Sequence, residues 1–63
     1  MKMLNLSEVL MRNHDLTSFE GLKLALKEEA RQGYMFFELD VKPQFDDTPA
    51  DWENQLEAAF TSR

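Results

Sequence analysis

The single histidine of the chain, His14, stands directly before Asp15. A histidine that moves protons needs a nucleophile or an orienting acid against its ring. Neighbours in a turn point apart, so Asp15 does not fill that role, and His14 reads as a polar residue in a turn between two helices. Glu28 with Glu29, and Glu38 with Asp40, are carboxylate pairs that could do acid–base work. Strand spacing would put Glu38 and Asp40 on one face, about 7 Å apart. Nothing marks a cleft around them, and 63 residues leave little material to enclose a substrate. Asp46, Asp47 and Asp51 could attract a hard cation, but their loop lacks the spacing and the glycine of a calcium loop. Negative charge at a helix start accounts for them. The absence of cysteine excludes a disulfide scaffold, a thiolate zinc site and a thiol nucleophile. Gly21 and Gly33 stand alone, so no phosphate loop is present. Ser7, Thr17 and Thr48 are explained by helix starts. The sequence predicts no enzyme, no cofactor and no metal.

What remains is surface. The net charge is −5, and it is unevenly placed. Residues 1–37 hold five acids and five bases, whereas residues 38–63 hold seven acids and two bases. Glu38, Asp40, Asp46, Asp47, Asp51, Glu53 and Glu57 form this excess and are the predicted partner-binding residues, together with Leu24, a large apolar side chain on a charged helix face. Lys23, Lys27 and Arg31 recur every four residues and form a short basic stripe. That stripe is the candidate nucleic-acid contact. Glu20 and Glu28 flank it, and the net charge has the wrong sign for a phosphate-binding domain.

The elements that must carry these residues are four. Asn5 and Glu8 have capping-box spacing, with Leu4 and Val9 at the staple positions, which predicts a helix over 6–13. A strand over residues 1–6 competes, because Met3, Leu4 and Leu6 also suit one. Thr17 with Glu20 and the stop at Gly33 predict a helix over 18–32, burying Phe19, Leu22, Ala25, Leu26 and Ala30 and leaving Leu24 outside. Alternation predicts a strand over 34–42, with Met35, Phe37, Leu39 and Val41 on one face and Tyr34, Phe36, Glu38 and Asp40 on the other; Pro43 ends it. Thr48 as cap and Pro49 at the first helical position predict a helix over 49–61 with Trp52, Leu56, Ala59 and Phe60 inward. Phe45 tucks under the joining loop.

The expected fold is a small, mostly helical α+β single domain spanning 1–63, ordered α-α-β-α, or β-α-α-β-α if the N-terminus is extended. One strand cannot stand alone, since its backbone groups need a ladder. Residues 1–6 of the same chain, or the same strand of a second copy, are the favoured partners, and Tyr34 and Phe36 are the predicted strand-pairing or homodimer contacts. A chain of this size buries only roughly 60% of its unfolded surface, so a partner is the expected source of further stability. The longest apolar run is residues 34–37, and the N-terminus lacks a signal-peptide pattern; neither a membrane span nor export is expected, and the expected location is cytoplasmic. The function expected is a small acidic protein-binding regulator or inhibitor that occupies a basic surface of a target protein. Inhibitors encoded by phages and mobile elements are the analogy in size and charge. The alternatives are a DNA-binding accessory protein using Lys23, Lys27 and Arg31, and a structural subunit whose strand completes a neighbour's sheet.

Overall fold

A computed structural model of the chain describes residues 3–62. The order is β-α-α-β-α: β1 (Met3–Asn5), α1 (Leu6–Arg12), α2 (Phe19–Ala30), β2 (Phe36–Glu38) and α3 (Trp52–Thr61). The strand of the second half therefore finds its ladder within the chain. β1 and β2 pair in parallel, with Met3 opposite Phe36, Leu4 opposite Phe37 and Asn5 opposite Glu38. Parallel pairing demands a crossover of a dozen residues or more, and α1 with α2 supplies it. Residues 1 and 2, part of the extended N-terminal segment expected over 1–6, lie outside the described residues.

β2 is shorter than the strand predicted over 34–42. At its C-terminal end, β1 gives way to α1 at Leu6, so the ladder ends at Glu38. The alternation holds only near this short ladder. Phe37 and Leu39 pack against the core as expected, but Met35 is 64% exposed and Val41 is 39% exposed. Tyr34, placed by alternation on the opposite face from Phe37, also packs against the core.

Leu4, Leu6, Val9, Phe19, Leu22, Leu26, Ala30, Leu56, Ala59 and Phe60 form one buried cluster. The helical spacing of α2 is responsible for its share: Phe19, Leu22, Leu26 and Ala30 fall on one side and are buried, with Ala25 half-buried beside them. α3 closes the cluster, and the ring of Phe60 stacks on Phe37 at 5.2 Å between centroids. Phe45 and Trp52 pack on its margin, and Pro43 is fully buried.

The helix starts differ from those predicted. Asn5 precedes α1 but makes no side-chain cap; the Asp40 carboxylate takes the Ser7 N–H at 3.0 Å and the Ser7 hydroxyl at 2.6 Å instead. Glu8, assigned to a capping box, pairs with Arg12. Ser18, not Thr17, caps α2, accepting from the Gly21 N–H at 3.1 Å. α3 begins three residues later than predicted, after Asp51. The Thr48 hydroxyl accepts from the Phe45 N–H within the preceding turn and so does not cap α3. Gly33 ends the α2 region as expected, at φ 98°, a left-handed conformation that suits glycine.

Candidate functional site

The charged side chains sort into two groups by what they touch. In the first, cations and carboxylates neutralise each other along α1 and α2. Arg12 lies 3.1 Å from Glu8 and 2.9 Å from Glu29, and it donates to the Tyr34 hydroxyl at 3.3 Å. The Tyr34 hydroxyl, then Glu29, raise the Arg12 pKa above its ordinary value. Lys23 lies 3.0 Å from Glu20, donates to Gln55 Oε1 at 3.3 Å and sits 5.8 Å above the Phe19 ring. Arg31 pairs with Glu28 at 3.0 Å. The Glu28 and Glu29 pair is thereby split between two cations on different elements.

The second group is the acidic excess of residues 38–57. Two of its members are occupied at helix starts. Asp40 serves α1 through Ser7, and this carboxyl titrates below the ordinary range because the Ser7 hydroxyl and then the Ser7 N–H stabilise its charged form. Asp47 accepts from the Phe19 N–H at 2.7 Å and the Glu20 N–H at 3.5 Å. Its pKa is lowered chiefly by the Phe19 N–H, with Lys23 adding a smaller attraction. Together with Ser18, Asp47 satisfies the first three N–H groups of α2, which have no partner inside the helix. Glu38, Asp46, Asp51, Glu53 and Glu57 are all exposed. Among the described residues, none of these five forms an ion pair; the Asp51 carboxylate accepts the Gln55 side-chain amide, at 3.0 Å.

Leu24 is exposed, as predicted, at 66%. It shares its surface groove with none of the acids of residues 38–57. It lines an open groove of about 370 Å³ between α2 and α3, with Lys23, Lys27, Gln55, Ala58 and Ser62 around it. The structure thus joins Leu24 to two members of the basic stripe. Of Lys23, Lys27 and Arg31, only Lys27 lacks a carboxylate partner among the described residues. Gln55, Ala58 and Ser62 were not singled out in the sequence. Their signal was a helical spacing of three and four residues on α3, on a flank of the helix rather than on its apolar face.

Phe36 is 47% exposed on the outer face of the sheet, opposite Met3, which is 52% exposed; Met35 stands exposed just before β2. Tyr34 is turned toward the core and Arg12. His14 and Asp15 are exposed in the turn after α1. Among the described residues, no group of three His, Asp or Glu side chains converges as metal ligands, and no helix is long and apolar enough to cross a membrane. No protein-family model, curated protein or solved structure matches the chain.

Proposed function

We propose that this chain is a non-enzymatic protein-binding regulator or inhibitor whose target presents a basic surface, such as a groove that otherwise holds nucleic acid. The observation that carries this reading is the division of charge. Arg12, Lys23 and Arg31 are each paired with glutamates of α1 and α2, leaving Lys27 as the one cation of these helices without a carboxylate partner among the described residues, while Glu38, Asp46, Asp51, Glu53 and Glu57 have no internal cation among the described residues. Exposed carboxylates left unmatched give a negative field that steers a basic partner toward the surface. A groove on α2 for DNA is less well supported, because Lys23 and Arg31 are each spanned by a glutamate.

The test compares capture of a lysate partner by the tagged wild-type chain and by a triple variant, Asp46→Lys, Glu53→Lys and Glu57→Lys. Asp47 and Asp51 stay intact, since one holds the start of α2 and the other precedes α3. One stoichiometric protein retained after nuclease treatment, and lost with the variant at unchanged circular dichroism, is the expected result. Full retention by the variant, or recovery that disappears with nuclease, rejects the reading.

A further inference from the structure

α2, together with its C-cap residue Arg31, carries a second ordered pattern besides its buried side. Glu20, Leu24, Lys27 and Arg31 follow one another at steps of four, three and four residues. At 100° per residue they share one face, turned away from the Phe19, Leu22, Leu26 and Ala30 side. This is the stripe along which two helices pack side by side. The stripe is its own complement when reversed. A second α2 laid antiparallel sets Glu20 against Arg31 at both ends, and Leu24 against the methylene stem of Lys27 twice in the middle.

We propose that the occupant of this face is a second copy of the chain, joined by an isologous two-fold contact whose axis crosses α2 between Ala25 and Leu26. Charge complementarity selects this occupant: the face reads acid, apolar, base, base, and its reversal sets the acid against the terminal base at both ends while each Lys27 covers a Leu24 with its stem. The groups are free to make the exchange. Leu24 is 66% exposed, and Lys27 has no carboxylate partner among the described residues. Glu20 is 74% and Arg31 59% exposed in their side chains, and each is held only by a pair three residues away, with Lys23 and Glu28. Such surface pairs contribute little and are readily traded for partners across an interface. On the α3 side of the groove, Ala58 is small and exposed, so a second helix can approach closely. The lysine stem covers Leu24 while its ammonium stays in water. One helix face is smaller than a standard interface of about 800 Å² per partner, so the association is weak, on the order of 0.1 mM.

Sedimentation equilibrium of the full chain, from micromolar to millimolar concentration at low salt, reads this directly. The wild-type mass is expected to rise toward two chains. Glu20→Arg alone and Arg31→Glu alone each place like charges opposite one another twice, and each is expected to weaken association by about tenfold or more. An equimolar mixture of the two single variants restores both opposite-charge contacts in a heterodimer and is expected to regain the wild-type mass. So is the double variant carrying both exchanges. Circular dichroism of each variant confirms that the helices persist. A one-chain wild-type mass at the highest concentration overturns the proposal. So does a dimer that both single variants form as well as wild type, which would place the contact elsewhere, for example on Met3, Met35 and Phe36. A mixture that gains nothing over its components overturns it too.

Discussion

At the scale of single residues, two aspartates carry more of the fold than their exposure suggests. Asp40 and Asp47 are surface carboxylates, yet each accepts two hydrogen bonds at the start of a helix. Both pKa values are held below the ordinary value of 3.8. The unfolded chain therefore takes up protons at a higher pH than the folded one, and folding is stabilised by these groups above the unfolded value. That contribution is complete near neutrality and lost as pH falls through the lower folded-state values. The melting temperature should be flat from neutral pH to about pH 5 and fall below about pH 4. Asp47→Ala should melt lower at neutral pH and show a shallower acid fall, measured by circular dichroism melts across that range. The negative charge near residues 46–51 was legible in the sequence, and so was its link to a helix start. Which helix it served was not, because Asp47 acts on Phe19, 28 residues earlier, and Asp40 acts on Ser7, 33 residues earlier. A cap search over neighbouring residues cannot see a partner that folding delivers from so far along the chain.

At the scale of elements, helical periodicity was the legible signal. The buried side of α2 and the exposure of Leu24 follow from spacing alone, because twelve residues give enough turns to define a face. Strand length was not legible. Period-two alternation over 34–42 describes what a strand could bury, whereas the C-terminal end of β2 is set by where β1 gives way to α1. The α2 stop was legible, because it rests on one residue. At Gly33, with φ 98°, a Cβ would meet no atom within 4 Å. Gly33→Ala should thus cost only the backbone penalty of a left-handed alanine, about 1 kcal/mol or more. Urea unfolding should report it as a lower midpoint at unchanged slope. Leu26→Ala, within the buried side of α2, should cost about 2–5 kcal/mol. In a domain this small, that is enough to leave much of the chain unfolded at room temperature.

At the scale of the whole molecule, the Cα radius of gyration is 10.6 Å. A compact domain of 63 residues should have a radius near 2.2·N^0.38 Å, which is about 11 Å. The helices and the sheet account for the core without a disulfide, so the net charge of −5 is left to act outward. If the proposed partner meets the carboxylates of residues 38–57, its affinity should fall steeply with salt. Raising ionic strength from about 0.05 M to about 0.5 M shortens the screening length from roughly 14 Å to roughly 4 Å. Titration calorimetry with the captured protein should show weaker and slower association at the higher salt, with little change in the heat capacity of binding.

The long reach of Asp40 and Asp47 has a consequence for how the chain is born. Synthesis proceeds from the N-terminus, so α1 and α2 emerge ahead of the residues that complete their first turns. A nascent chain ending at Glu38 contains both helices and both strands, yet it lacks the acceptor for Ser7 and the acceptor for Phe19. Short helices are marginal on their own in water, so neither is fastened until residues 40 and 47 clear the exit tunnel. Residues 40–47 thereby act as a latch: they keep the earlier elements provisional and let them set together.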